Sequence, residues 1–382
     1  MSKNLHSSFN SIKVKEVLVK NRLCFSAMGI DMALADGSLS PEMLSFYHGI
    51  AKGGVGTLIL PNASVTKLSR LNPKGLGMYT KQHGNALKKF LNEIKEKEIL
   101  VGVQLQHYGG QGKSIDGEAL LTPSGIPCKL KKLKVEGYAT RAMTLNDIQE
   151  VIDQFVQSAV LAFQSGVDYI QIQASNGYLL SSFLSPYTNF RDDEYGSTPI
   201  KRAKILIEII KLIRKNTSTS LIIGVRIGID DMVGDAGQKV ELLKNVVPKL
   251  EEAGVDIFEA SMCVSESFHY FLHPNIVFFR ESKNKLKLFK SYCSVPLIYS
   301  GFIDSVNLAD EFIDDEILDI VGMTRALFAD NDLIIKSQNG RFDEINKCLW
   351  DGNCFKDKYN KKIDRVYCCV NPKYKRSIDI QY

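Results

Sequence analysis

The chain has 382 residues, of which 45% are hydrophobic and 24% are charged, and its formal net charge is +5. This composition is typical of a globular protein, and it excludes a membrane-spanning helix, which needs about eighteen consecutive apolar residues. The basic residues form no clustered stripe with aromatic platforms of the kind that binds nucleic acid, and the polar amino terminus lacks the apolar centre of a secretory signal, so we expect a cytoplasmic protein.

Predicted strands and helices alternate along the chain from near Leu23 to near Asp332. The predicted strands are Leu23–Met28, Gly56–Leu60, Leu100–Leu105, Asp168–Gln173, Leu221–Ile227, Asp256–Ala260, Pro296–Ser300 and Asp319–Met323. Helical periodicity lies between them, as in Leu145–Ser165, Pro199–Lys215, Lys239–Ala253 and Val306–Phe312. Eight such units predict an α/β fold, a closed parallel (β/α)8 barrel, over residues 1–340.

Two segments fall outside this repeat. The segment Gln106–Thr144 is too long for an ordinary connection and is expected to fold over the barrel mouth as a hairpin or lid. Its basic run Lys129–Lys134 lacks aromatic residues, which favours a solvated loop or hairpin edge over a contact with an anionic ligand. Residues 341–382 are polar and contain cysteines, and we expect them to pack as a tail against the barrel.

The segment Tyr169–Arg202 is the most informative part of the sequence. Its start, Ile170–Gln173, alternates apolar and polar residues, which indicates a half-buried strand with both glutamines on one face. The chain then breaks into turn residues. Gln173, Asn176 and Tyr178 are therefore expected at the carboxyl end of a strand, where α/β folds place their chemistry.

This segment resembles the signature of the old yellow enzyme family of FMN-dependent NADH:flavin oxidoreductases. The matching residues are Asn176, Gly177, Tyr178, Leu179, Leu180, Phe183, Leu184, Ser185, Pro186, Asn189, Arg191, Asp193, Glu194, Tyr195, Gly196 and Arg202. Gln173 stands where the family usually has His, and Gln171 stands where it usually has Glu. The resemblance also implies a (β/α)8 barrel.

The resemblance implies a set of contacts with FMN. Barrel phosphate sites lie after the seventh and eighth strands, and the second of these ends here, Val321–Asp330, is similar to the family's phosphate motif. Other positions match family contacts with the pyrimidine edge of the flavin or with the ring through the backbone. The implied phosphate ligands are Gly301, Thr324 and Arg325, the pyrimidine contacts are Gln104 and Arg226, and the backbone contacts are Ala27, Met28 and Ala63.

At the substrate end, the family uses a His/His or His/Asn pair to bind a substrate oxygen and a Tyr to protonate carbon. The resemblance assigns the first role to Gln173 and Asn176 and the second to Tyr178. The amide of Gln173 keeps donor capacity but cannot become cationic. Either the amide pair binds a neutral carbonyl or related oxygen group, or ene reduction has been lost or altered.

The loop after the sixth strand supplies candidates for substrate selection, because barrel βα loops do that work. Its candidate residues are His269, Tyr270 and His273.

The cysteine tail resembles that of the 2,4-dienoyl-CoA reductase and trimethylamine dehydrogenase branch, which holds a [4Fe–4S] cluster. Cys348, Cys354 and Cys368 align with cluster ligands, but Asp351 occupies the position of an expected cysteine. A cluster would need this aspartate or the neighbouring Cys369 as its fourth ligand. The favoured alternative is a set of reduced thiols without metal.

The leading interpretation is a cytoplasmic FMN enzyme that uses NAD(P)H to reduce an activated alkene, with no nucleic-acid or membrane partner. The chain carries no GxGxxG dinucleotide domain, so electrons are expected directly from a diffusible nicotinamide or from a partner protein. The alternatives are a cluster-bearing reductase or demethylating dehydrogenase, and a flavin-binding barrel without turnover that acts as a subunit or sensor. A homo-oligomer is left open.

Overall fold

The structure is a computed structural model that describes residues 6–70, 74–94, 98–112, 117–127, 139–273, 275–357, 360 and 364–376. The basic run Lys129–Lys134 lies outside these residues. The strands are β1 Ile12–Val14, β2 Val17–Val19, β3 Leu23–Phe25, β4 Thr57–Ser64, β5 Leu100–Gln106, β6 Leu120–Thr122, β7 Thr140–Ala142, β8 Tyr169–Ala174, β9 Ile222–Asp230, β10 Ile257–Met262, β11 Leu297–Tyr299 and β12 Ile320–Gly322. The α-helices are α1 Pro41–Lys52, α2 Lys81–Ile94, α3 Leu145–Gln164, α4 Leu179–Leu184, α5 Pro199–Arg202, α6 Lys204–Asn216, α7 Val246–Ala253, α8 His269–Leu272, α9 Ile276–Lys290, α10 Val306–Asp314, α11 Thr324–Ala329, α12 Leu333–Gln338 and α13 Asn353–Lys356.

Eight strands close into a parallel barrel in the order β10-β11-β12-β3-β4-β5-β8-β9. This confirms the predicted (β/α)8 architecture, and each predicted barrel strand is present with shifted ends. The prediction that β8 is half-buried is wrong, since every residue from Tyr169 to Ala174 is buried. The reason is that a barrel strand has no solvent face: one face meets the helices and the other meets the packed interior.

Two of the predicted helices are interrupted. The pattern Pro199–Lys215 forms α5 and α6, and the pattern Lys239–Ala253 begins as a 3-10 turn over Val240–Leu243 before α7. Pro248 explains the second break, because a proline has no N–H and is tolerated in the first turn of a helix but not in its interior. The α-helix therefore begins at Val246.

An antiparallel hairpin of β1 and β2 lies beneath the amino-terminal ends of the barrel strands. Val14 and Val19 of this hairpin pack in a buried cluster with residues that begin barrel strands, such as Ile222 and Ile257. The cluster closes the barrel bottom with apolar side chains. The opposite, carboxyl-terminal end remains available for a binding site.

The insertion after β5 does not form the expected hairpin. β6 and β7 pair in parallel, with Leu120 opposite Thr140, whereas the strands of a hairpin pair antiparallel. Arg191 joins the insertion to the signature segment, because its Nη1 donates to the carbonyl oxygens of Pro123 and Met143.

The described part of the tail packs on the barrel. The N–H of Val366 donates to the carbonyl of Ile30, and Nδ2 of Asn371 donates to the carbonyl of Phe328. The buried carboxylate of Asp357 accepts from both terminal nitrogens of Arg376. No helix among the described residues is both long enough and apolar enough to cross a membrane.

Candidate active site

A cavity of about 570 Å³ opens at the carboxyl-terminal end of the barrel. Its volume falls within the range of roughly 300–1,000 Å³ that is common for small-molecule sites. The strand ends, the loop after β10 and the tail all contribute to its wall. The predicted site residues that line the cavity are Ala27, Met28, Gln104, Gln173, Asn176, Tyr178, Arg226, His269, Gly301, Thr324, Arg325 and Cys354.

Five other predicted residues lie outside the cavity lining: Ala63, Tyr270, His273, Cys348 and Cys368. Ala63 is fully buried in the hydrophobic core, and its neighbour Asn62 reaches the cavity instead. The pairing of β4 with β5 shifts register before Ala63, which changes the direction of the side chains that follow. Tyr270 is exposed and stacks on Phe278, and Nδ1 of His273 lies 3.1 Å from the carbonyl oxygen of Trp350 in the tail.

The wall formed by the last two barrel strands is tightly packed and polar. A Cβ atom on Gly301 would lie 2.2 Å from the hydroxyl of Tyr299, so only glycine fits there without a shift. The N–H of Ser26 donates to Oγ1 of Thr324 across 3.1 Å, and Oγ of Ser300 lies 3.2 Å from the same oxygen. Backbone and hydroxyl groups can therefore approach a ligand closely in this region.

Arg325 borders the same wall as a half-buried cation. Its guanidinium carbon lies 4.4 Å from the ring centroid of Trp350 and 4.8 Å from that of Phe302, and Nη1 donates to the carbonyl of Leu272. Burial lowers the pKa of Arg325 from its ordinary value. Among the described residues, Nη2 has no hydrogen-bond partner and no carboxylate pairs with the guanidinium. A guanidinium that lines a cavity and has no paired carboxylate fits an anion such as the phosphate of FMN.

A chain of hydrogen bonds crosses the barrel interior beneath the cavity. Nε2 of Gln104 donates to Oε1 of Gln171 across 2.7 Å, and Nε2 of Gln171 donates to Oε2 of Glu259 across 2.8 Å. Nε of Arg226 lies 3.5 Å from Oε1 of Glu259. Gln104 and Arg226 were expected here from their sequence positions, but Glu259 was not, because its only signal in the sequence is a carboxylate within a predicted apolar strand.

The orientation of Gln173 is set by its own strand end. Its Oε1 accepts from the backbone N–H of Ser175 across 3.2 Å and lies 2.7 Å from the hydroxyl of the same residue. Nε2 of Gln173 has no hydrogen-bond partner among the described residues, and the side chain lines the cavity. Gln173 can therefore offer two N–H donors to a ligand.

Asn176 uses its side-chain amide within the protein. Its Nδ2 donates to the carbonyl oxygens of Met262 and Cys263, and its Oδ1 lies 2.8 Å from the hydroxyl of Ser175. The backbone of Asn176 is left-handed, with φ of 60°, a conformation that Asn adopts more readily than most residues. The residue thus ties the end of β8 to the loop after β10, and in this structure no amide hydrogen remains for a substrate.

Tyr178 follows Gln173 by a few residues in the sequence, and its side chain also lines the cavity. Its ring packs edge-to-face on the ring of Tyr108, with centroids 5.2 Å apart and an interplanar angle of 86°. This packing restricts the phenol without removing it from the cavity. An amide donor and a phenol therefore both line this cavity.

The tail cysteines do not form a metal site in the described part of the chain, where no three His, Cys, Asp or Glu side chains are grouped to hold an ion. The N–H of Trp350 donates to the sulfur of Cys348, and the N–H of Asn371 donates to that of Cys368. Burial raises the pKa of the Cys348 thiol to about 11. A thiol of this kind is protonated at neutral pH.

Comparisons with known proteins show which family this chain is similar to. The model of the NADH:flavin oxidoreductase / NADH oxidase family matches residues 7–344. The chain is 29% identical to an NADH oxidase of Thermoanaerobacter brockii over 95% of this chain and 56% of that protein. It is 27% identical to an NADPH dehydrogenase of Clostridium acetobutylicum over 88% of this chain and 96% of that protein.

Solved structures show the same fold. The 2-naphthoyl-CoA reductase aligns with a TM-score of 0.87 at 24% identity, over 96% of this chain and 57% of that chain. Morphinone reductase aligns with a TM-score of 0.72 at 19% identity, over 87% of this chain and 90% of that chain. The chain thus spans little more than half the length of some relatives and nearly the full length of others. On this evidence, the chain belongs to the NADH:flavin oxidoreductase / NADH oxidase family.

Proposed function

We propose that this chain is an FMN-dependent oxidoreductase that takes electrons from NAD(P)H and reduces an activated alkene. The observation that carries the proposal is that Gln173, whose amide hydrogens have no partner among the described residues, and Tyr178 both line this cavity. Family membership and the similarity to an NADPH dehydrogenase over almost its full length support the flavin and the nicotinamide donor.

The residues that would hold FMN lie at two places on the cavity. The guanidinium of Arg325 and the close-packed wall at Gly301 and Thr324 suit the phosphate. Gln104 and Arg226 suit the polar edge of the ring, where a fixed cation favours negative charge. When bound, FMN supplies the hydride that is added to the electron-poor carbon of the substrate.

The remaining chemistry belongs to the side chains of the protein. The N–H donors of Gln173 bind the carbonyl oxygen of the substrate and stabilise the negative charge that grows on it. The phenol of Tyr178 gives its proton to the adjacent carbon as a general acid. Asn176 acts as a positioning residue, since its hydrogen bonds to Met262 and Cys263 hold the end of β8 in place.

The test separates the two half-reactions of the FMN-loaded protein by anaerobic stopped-flow absorbance. For Tyr178→Phe, we expect oxidation of the reduced protein by 2-cyclohexenone to slow by about 100-fold or more, because general acids contribute roughly 10²- to 10⁴-fold. Reduction by NADPH or NADH should stay within about twofold of the wild-type rate. Tyr79→Phe, on a tyrosine outside the cavity lining, is the matched control and should change neither rate.

Two results would contradict the proposal. Equal losses in both half-reactions would remove Tyr178 from the role of proton donor. Bound FMN that no nicotinamide reduces would favour a flavin-binding barrel without turnover.

A further inference from the structure

The barrel interior contains a carboxylate that no step above uses. Glu259 has no exposed surface, and Gln104 and Gln171 are almost as deeply buried. Together these three side chains form a continuous row from the centre of the barrel to the cavity floor, where Gln104 is the member that lines the cavity. Burying a carboxylate is unfavourable unless its hydrogen bonds and charge are compensated. The buried carboxylate of Glu259 is therefore a candidate for a role in the binding site.

The carboxylate fixes the direction of every hydrogen bond in the row. Oε2 of Glu259 accepts from Nε2 of Gln171, and a carboxylate offers only acceptors, so Gln171 must present its NH₂ group to it. The oxygen of Gln171 then faces Gln104, as the 2.7 Å bond from Nε2 of Gln104 to that oxygen requires. The NH₂ group of Gln104 is therefore hydrogen-bonded to Gln171, and its Oε1 is the group that remains for a ligand.

The other oxygen of Glu259 has no hydrogen-bond partner among the described residues, but it forms an ion pair on the opposite side. Its Oε1 lies 3.5 Å from Nε of Arg226, and Arg226 also donates through Nη1 to the carbonyl of Ala27. Arg226 can only donate hydrogen bonds. Glu259 therefore contacts both polar residues that line the floor of the cavity, one directly and one through Gln171.

We propose that Glu259 is a positioning residue that makes Gln104 a hydrogen-bond acceptor toward the cavity. This inference rests on the proposed binding of FMN. Oxidised isoalloxazine has a single N–H group, at N3, and otherwise presents acceptors along that edge. An oxygen of Gln104 beside a donor-only Arg226 matches this pattern, whereas an NH₂ group in its place would leave the N3–H group without a partner.

The variant Glu259→Gln should reverse the direction of each hydrogen bond in this row, while the side chain at position 259 keeps its size and shape. The new amide satisfies Arg226 by turning its oxygen toward the guanidinium, which leaves its NH₂ group facing Gln171. Gln171 must then turn its oxygen toward residue 259 and its NH₂ group toward Gln104. Gln104 in turn presents NH₂ to the cavity, where it faces the N–H of the ligand.

The experiment uses apoprotein reconstituted with FMN that carries ¹⁵N at N3. In the wild type, we expect a slowly exchanging, downfield N3–H resonance and tight binding measured by the quenching of FMN fluorescence. In Glu259→Gln, the resonance should be lost to solvent exchange or move upfield, and the Kd for FMN should rise by about tenfold. Glu252→Gln, which changes an exposed carboxylate paired with Lys249, is the matched control and should leave both measurements unchanged.

A charge-relocation variant distinguishes positioning from simple destabilisation. In Gln171→Glu combined with Glu259→Gln, the carboxylate accepts directly from Gln104, so the oxygen of Gln104 should again face the cavity. We expect the N3–H resonance to return and the Kd to recover to within about threefold of the wild type.

The inference is overturned if Glu259→Gln keeps the wild-type resonance and Kd, or if the double variant loses them as fully as the single one. These outcomes leave the proposed function intact, because FMN still binds the wild type. Wild-type apoprotein that binds no FMN would instead overturn the proposed function itself.

Discussion

The backbone N–H of Ser175 donates to Oε1 of Gln173 across 3.2 Å. A backbone N–H cannot reverse its role, so this contact gives the side-chain amide of Gln173 one orientation. The two amide hydrogens are then the groups that Gln173 offers to the cavity. The turn that ends β8 therefore makes Gln173 a hydrogen-bond donor toward the cavity.

Replacing Gln173 with Met should remove these donors with little change in side-chain volume. We expect kcat/KM for 2-cyclohexenone to fall by about 100-fold, since one donor to a developing oxyanion is worth roughly 10²- to 10³-fold. The rate of flavin reduction by the nicotinamide should stay within about twofold. Equal slowing of both steps would show that Gln173 does not act on the substrate.

Replacing Gln173 with His should instead introduce a titratable donor. A histidine has an ordinary pKa near 6.5, and its cationic form is the stronger donor to a growing negative charge. Alkene reduction by Gln173→His should therefore rise as the pH falls from about 8 to about 6, beyond any change in the wild type. Parallel pH profiles for the two proteins would contradict this account of residue 173.

Much of this site could be predicted from the sequence, because the residues concerned follow recognisable strand ends. Gln104, Gln173, Tyr178, Arg226 and Arg325 all line the cavity as expected. Their positions depend on local signals, such as a strand that ends in a turn, together with a barrel topology that gathers those ends.

The contacts between distant segments could not be predicted in this way. Glu259 faces Gln171 only because β8 and β10 both turn side chains into the barrel interior, which depends on closure and register. The amide of Asn176 is used by backbone carbonyls that lie 86 and 87 residues further along the chain. The parallel pairing of β6 with β7 likewise joins strands that are far apart in the sequence.

The stacking of Trp350 on Arg325 predicts that the tail contributes to cofactor binding. Trp350→Ala should raise the Kd for FMN by about tenfold, because a desolvated cation–π contact is worth up to about 2 kcal/mol. Trp350→Phe keeps an aromatic face and should stay within about threefold of the wild type. Equal Kd values for all three proteins in a fluorescence titration would separate the tail from the cofactor site.

Asp231 predicts a distinctive pH dependence of stability. Burial raises the pKa of this carboxyl to about 6, so the native state binds the proton more tightly than the unfolded state does. The protonated carboxyl makes its full contribution to the free energy of unfolding below about pH 4, and this contribution is lost as the pH rises through about 6. The free energy of unfolding of the wild type, minus that of Asp231→Asn, should therefore fall by about 1–3 kcal/mol between pH 4 and pH 7.

The free energies of unfolding are measured by urea unfolding. Asp193 provides a control whose pH dependence of stability has the opposite sign. The hydrogen-bonded Arg191 guanidinium holds the pKa of Asp193 below its usual range. Its contribution is present above the unfolded pKa and is lost as the pH falls through the folded one. A difference for Asp231→Asn that is flat, or that follows the same direction as Asp193→Asn, would show that the proton on Asp231 is not bound as described.

The tail thiols should be dispensable for the flavin. Cys368→Ser should retain FMN content within about twofold, and anaerobically purified wild-type protein should show flavin bands without a broad cluster shoulder. The expected reason is that the described residues group no metal-binding set around this thiol. About four irons per chain, lost in Cys368→Ser, would establish a [4Fe–4S] cluster instead.

The most direct test of the central claim is an anaerobic spectrophotometric titration of apoprotein with FMN, followed by NADPH and, in a second cuvette, NADH. We expect one FMN to be retained per chain after gel filtration and its absorption bands to bleach with one equivalent of at least one nicotinamide. Protein that emerges colourless after incubation with excess FMN would contradict the account.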